Sequence, residues 1–181
     1  MYIYWFFVFS YYIFYFNFFY FHMRNVFLIG FMGVGKTFFG LNLSKYIKYI
    51  YLDIDYIITY LYNIKILNIF SDRKFFLFRK LEKNFLNFLK FKKNLLISCG
   101  GGIILDKINV LRINLNFCFC IMLNEIFLFK NINKKNRPLL KKNFFNIVNK
   151  RKNIYKKSSK FYVKNSFKYK KKNVYKFLNT L

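Results

Sequence analysis

Gly30-Phe31-Met32-Gly33-Val34-Gly35-Lys36-Thr37 matches G-x-x-x-x-G-K-[ST] at every fixed position. An apolar run, Val26–Ile29, leads into it. Residues 36–48 follow, with Phe39, Leu43 and Ile47 at helical spacing. This strand–loop–helix setting is the context in which such a loop cradles phosphate. Glycines let consecutive backbone N–H groups turn inward around phosphate oxygens, at the positive end of the helix that follows. Lys36 is placed to reach the β- and γ-phosphates, and Thr37 to offer its hydroxyl to Mg²⁺. We therefore assign a nucleoside triphosphate to Gly33, Val34, Gly35, Lys36, Thr37 and Phe38. A chance glycine turn would have no reason to carry both flanks as well.

Composition sharpens this assignment. Phe, Tyr, Lys, Asn and Ile make up 114 of the 181 residues, and there is no Ala or Gln and a single Pro. The abundant five are written with A/T-rich codons, whereas glycine needs G, so its seven occurrences mark places where little else serves. Three lie in the loop, Gly40 follows, and the remainder form the run Gly100-Gly101-Gly102. The net charge of +27 would ordinarily suggest nucleic acid or an anionic membrane. Lysine is itself codon-favoured and spread along most of the chain, so we read the charge as a solvated basic surface and expect no specific nucleic acid.

Cys99, Cys118 and Cys120 are odd in number and lack metal-type spacing, and His22 is the lone histidine, so no zinc site can be assembled. Buried thiols in a reducing cytoplasm are the expectation. Residues 1–22 hold 15 aromatics and no Asp, Glu, Lys or Arg. Their length would suit a membrane span, but Tyr prefers the interface and Leu is missing. A signal peptide would want a basic start and a small-residue cleavage site. We expect an aromatic N-terminal extension outside the fold or a true start at Met23, with the domain over residues 23–181, and on composition we expect no membrane role.

Beyond the loop, short apolar runs alternate with longer amphipathic stretches. Strands are predicted at Val26–Ile29, 49–54, Leu95–Ser98, 117–123 and 161–163. Helices are predicted at 36–48, 56–62, 66–70, 75–91, 106–113, 125–132, 144–155 and 173–178, with a polar loop at 133–143. The alternation implies parallel crossovers and a three-layer α/β/α sandwich around a five-stranded parallel sheet, with the P-loop arrangement of nucleoside-monophosphate kinases. Apolar strands without polar alternation fit helices on both faces.

The phosphate loop resembles that of the shikimate kinase family. Further segments match the family in order: Asp53-x-Asp55, Phe78-Arg79-x-x-Glu82, Gly100-Gly101-Gly102, Arg137-Pro138-Leu139-Leu140, and Arg151 followed by Tyr155. The resemblance runs from about residue 25 to the C-terminus. It implies ATP and Mg²⁺ as cofactors, shikimate as acceptor, transfer to its 3-hydroxyl, and a monomer.

Carried onto these positions, the resemblance makes Asp55 the group that binds the acceptor hydroxyls and takes the proton, at the carboxyl end of a strand. Asp53 with Thr37 holds the metal. Arg79 and Arg151 bind the acceptor carboxylate through bidentate forks, with Glu82 orienting Arg79. Gly101 and Gly102 bring backbone close to the acceptor. Arg137 closes with a lid at about 133–143, contacts ATP and stabilises the transferred phosphoryl charge; with Lys36 and Asp55 it forms the catalytic set. Three departures stand out. Lys130 replaces an arginine against adenine, Val163-Lys164-Asn165 replaces an acidic turn, and Asn63 replaces a turn glycine. Other small P-loop kinases, acting on gluconate or a nucleoside monophosphate, or a non-catalytic anion-binding protein, are the alternatives.

Overall fold

The computed structural model describes residues 24–63, 72–133 and 144–164, with side chains over 75–129 in the middle block. The leader at 1–22, the helical reading at 66–70, the lid beyond Asn133 and the helix expected at 173–178 lie outside the described residues.

Within them, five strands alternate with six α-helices: β1 (Val26–Ile29), α1 (Lys36–Ile47), β2 (Ile50–Asp53), α2 (Ile54–Leu61), α3 (Asp72–Leu89), β3 (Leu95–Ser98), α4 (Lys107–Asn114), β4 (Phe117–Met122), α5 (Glu125–Asn133), α6 (Phe144–Lys157) and β5 (Phe161–Lys164). The strands form one parallel sheet in the order β2-β3-β1-β4-β5. Central β1 pairs through Val26 with Leu96 on one side and Phe117 on the other. Chain leaving β1 goes to one side of it and chain leaving β3 goes to the other. Open α/β sheets place ligands where such connections part. Both β1 and β3 are buried along their whole length, as strands covered on both faces must be, whereas β5 at the edge alternates.

Most element boundaries follow the sequence pattern, and the differences have local causes. Strand β2 stops at Asp53 because that residue caps α2: its Oδ1 accepts from the Tyr56 N–H at 3.3 Å. Asp106 likewise caps α4, accepting from the N–H groups of Ile108 and Asn109 at 2.7 and 3.3 Å. A 3₁₀ turn, Ile103–Leu105, follows the glycine run and has no periodic signal.

Leu, Ile and Val make up most of the buried core among the described residues, and aromatic pairs join its layers. Phe119 stacks on Phe161 with centroids 4.8 Å apart, and Phe144 packs edge-on to Phe31 at 5.9 Å and against Phe129 at 5.2 Å. Asn25 ties the amino end of the sheet together. Its buried amide donates to the carbonyls of Leu89 and Lys92 and accepts from the Leu95 N–H. Cys99, Cys118 and Cys120 are free and buried. No helix among the described residues is long and apolar enough to cross a membrane.

Candidate active site

The phosphate loop leaves β1 at the centre of the sheet. Gly30 has φ +146°, outside the range of ordinary L-residues, and a methyl group there would stand 2.4 Å from the Ile121 carbonyl oxygen. Buried Val34 props the loop from beneath. Gly35 ends it in a left-handed conformation and starts α1, so the N–H groups of Lys36, Thr37 and Phe38 fall in the first turn, at the positive end of the helix. The Phe38 ring itself is largely exposed, which leaves its backbone N–H as its contribution.

Lys36 folds back over the loop, its Nζ donating to the carbonyls of Gly30 at 2.8 Å and Phe31 at 3.0 Å. Burial holds its pKa below the usual lysine value, and the negative charge of Asp55 opposes that shift. The ammonium thus sits desolvated at the loop mouth, where a polyphosphate would offer better partners than two neutral carbonyls.

Thr37 and Asp53 meet. Thr37 Oγ1 donates to Asp53 Oδ2 at 3.0 Å, and the Tyr51 hydroxyl reaches the same oxygen at 3.3 Å. The described residues contain no cluster of three or more His, Cys, Asp or Glu side chains able to cage a metal. A hydroxyl and one carboxylate are a hard-oxygen donor set of the kind that suits Mg²⁺, which keeps waters and takes its other ligands from phosphates.

Asp55 requires a correction. It stands in the first turn of α2, two residues past the cap Asp53, rather than on the strand end. A carboxylate is favoured there by the helix dipole. It still faces the glycine run, since a methyl group at Gly100 would lie 2.4 Å from Asp55 Oδ1 and 2.8 Å from Glu82 Oε1.

Arg79 and Glu82 lie one turn apart on α3 and form an ion pair between Nη1 and Oε2, with the Glu82 side chain fully buried. The guanidinium also lies 4.9 Å from the Phe75 ring centroid and 5.6 Å from that of Phe78. Gly102 lets it lie against the backbone, because a methyl group there would stand 2.2 Å from Arg79 Nη2. Burial pushes the Glu82 carboxyl up to about 7, with the Arg79 charge opposing the shift. Arg79 Nε and Glu82 Oε1 are buried without a hydrogen-bond partner, so this pair retains polar capacity.

Arg151, on α6, faces the same wall: it lies 5.8 Å from the Phe31 ring centroid and its Nη1 donates to Gly101 O at 3.4 Å. Gly101 packs against the phosphate loop, a methyl group there standing 3.1 Å from the Met32 nitrogen. Asp55, Arg79, Gly101, Gly102 and Arg151 therefore form one wall beside Lys36. Arg137 and the lid fall outside the described residues, and so does the Lys130 side chain. On the other side of the loop, a cavity of about 590 Å³ runs past Phe31, Val34, Ile121, Asn124 and Lys152 to Lys164 at the end of β5. Sequence reasoning missed Tyr51, which looked like one more apolar strand residue.

Comparison with known proteins agrees with this geometry. The family model described as "Shikimate kinase" matches residues 32–181. Relatives named shikimate kinase include one from Thermodesulfovibrio yellowstonii, 34% identical over 120 residues that cover 65% of this chain and 69% of the relative. Another, from Persephonella marina, is 35% identical over 139 residues, covering 74% and 84%. Among solved structures, shikimate kinase from Acinetobacter baumannii in complex with shikimate superposes with a TM-score of 0.79 at 25% identity, covering 87% of this chain and 92% of that one. The Aquifex aeolicus enzyme gives 0.73 at 26%, covering 86% and 94%. The phosphate loop, the wall beside Lys36 and these matches coincide on one stretch of sequence, and the chain belongs to the shikimate kinase family, whose members phosphorylate shikimate with ATP.

Proposed function

We propose that this chain moves the γ-phosphoryl group of ATP to the 3-hydroxyl of shikimate by holding the two substrates in line between the phosphate loop and the glycine wall. One observation carries the residue roles: two arginines, one carboxylate and a side-chain-free backbone converge within reach of Lys36. A ring bearing one carboxylate and three hydroxyls needs that inventory. Arg79 and Arg151 take the carboxylate, and their planar forks fix its orientation. Asp55 takes the ring hydroxyls and receives the proton of the attacking one. Lys36 exchanges its two carbonyl partners for phosphate oxygens. Catalysis is then positioning and charge stabilisation, with no covalent enzyme intermediate.

Thr37 and Asp53 would hold Mg²⁺, which supplies neutralisation of β- and γ-phosphate charge. Arg137 completes the charge stabilisation when the lid closes. The cavity between Val34 and Lys164 receives the rest of the nucleotide, with Lys164 in place of an acidic turn. The chain acts as a cytoplasmic monomer, and its three buried thiols suit a reducing compartment.

Coupled ADP release with shikimate as acceptor tests the reading. ADP formation dependent on shikimate is expected. Release with gluconate or a nucleoside monophosphate, but not with shikimate, would transfer the chain to another kinase activity on the same fold.

A further inference from the structure

Tyr155 has no part in the chemistry above, yet it sits at the joint of the acceptor wall. It follows Arg151 by four residues on α6, so both side chains rise from one helix face. Its ring is buried, and its hydroxyl donates to Gly101 O at 2.5 Å. Arg151 Nη1 reaches the same oxygen at 3.4 Å, the long edge of a hydrogen bond. Two donors thus converge on one carbonyl, and the tyrosine holds the closer position. Burial raises the phenol pKa well above its ordinary value, so it remains a donor at any physiological pH. Gly101 itself packs toward the phosphate loop, where a methyl group would stand 3.1 Å from the Met32 nitrogen.

We propose that Tyr155 is a positioning residue for the acceptor: by satisfying the Gly101 carbonyl, its hydroxyl leaves the Arg151 guanidinium available to the acceptor carboxylate. A guanidinium has five N–H donors and loses little by leaving a carbonyl that is already bonded. Without the phenol, Arg151 remains as a side-chain donor to that oxygen, and a partly desolvated carbonyl left unpaired is costly. The arginine is then drawn into the wall, and the acceptor must compete for it.

The inference rests on shikimate being the acceptor, and the test separates the two claims. Tyr155→Phe keeps the ring and removes only the hydroxyl. The expected result is a KM for shikimate about tenfold higher, with kcat and the KM for ATP within twofold and Tm little changed. In an Arg151→Lys background, Tyr155→Phe should raise that KM by less than twofold, because both act through one carbonyl; a merely structural tyrosine would add its full effect. Unchanged shikimate KM in Tyr155→Phe, or full additivity, overturns the inference while leaving the activity standing. Absence of shikimate turnover by the wild-type chain overturns both. Should the variant fail to fold, glycine carbonyl-¹³C labelling of the wild type gives a second measurement, since only seven glycines report. The Gly101 carbonyl should keep its hydrogen-bonded, downfield shift when shikimate is added. An upfield move on adding shikimate would mean that Tyr155 had let go, and would overturn the proposal.

Discussion

The two glycine clusters of this chain do different physical work. In the phosphate loop the requirement is conformational: Gly30, Gly33 and Gly35 have φ of 146°, 81° and 92°. In the run at 100–102 none of the glycines has a positive φ, and the requirement is room. A methyl group at Gly100 would strike Asp55 and Glu82, and one at Gly102 would strike Arg79, the groups proposed to face the acceptor. On the proposed reading, glycine therefore shapes backbone for the nucleotide and clears side-chain space for the acceptor. Damage to one cluster should be felt at one substrate.

The largest effect expected lies where the two sides meet. Asp55→Asn preserves the shape of the wall but cannot take a proton, so kcat should fall by about 10³-fold while ATP affinity stays within twofold. Titration of ATP beside the ADP-release assay checks this, and equal loss of both would make Asp55 structural. Next come the glycines themselves. Gly102→Ala pushes Arg79 off the backbone and should raise the shikimate KM roughly 10- to 100-fold with ATP binding intact. Gly30→Ala meets a backbone oxygen that cannot move aside and adds a forbidden φ. It should cost about 2 kcal/mol of stability and weaken ATP binding instead. If both variants impaired both substrates alike, the division between the clusters would be lost.

A smaller effect follows from Glu82, on the acceptor side alone. Its ionised form orients Arg79, and its carboxyl titrates near about 7 because of burial. The shikimate KM should therefore fall by up to about tenfold between pH 6 and 8. Stability runs the other way. The folded chain keeps a proton that the unfolded chain releases at about 4.3, so this contribution is complete below that pH and is lost as pH rises through about 7. Glu82→Gln should flatten both profiles, and an unaltered KM profile in that variant would remove Glu82 from the acceptor side.

Much of this was legible in the sequence because each strand–loop–helix unit announces itself locally. The bounds of β1 and β3 coincide with their apolar runs, and Arg79 and Glu82 pair as their spacing implies. What was hidden depends on partners distant in the chain. The order β2-β3-β1-β4-β5 is set by packing between strands, not by any one of them. The end of β2 was placed one residue late because a cap formed by Asp53 looks, in sequence, like more strand, so Asp55 was read as a strand-end residue rather than a helical one. Tyr51 reaches Asp53, and Tyr155 reaches Gly101, through hydroxyls that an aromatic-rich sequence cannot distinguish from core filling.

The smallest effect tests why glycine survives where it does. Lys48, Asn63 and Asn94 hold φ of 56°, 49° and 59°, all close to the left-handed helical value, where an L-residue is strained but allowed. Composition has left codon-favoured residues at these three turns, whereas φ of 146° at Gly30 admits none. Lys48 closes α1 with its N–H bonded to Ser44 O, a position that glycine usually occupies. Lys48→Gly should therefore stabilise the fold by about 0.5–1 kcal/mol, the relief of left-handed strain outweighing the added freedom of the unfolded chain. A urea midpoint shifted upward at constant slope, with both KM values unchanged, is the expected result. A downward shift would mean that the lysine at this turn is held by something more than codon bias, and scarcity would then be a weaker guide to function than the two clusters make it.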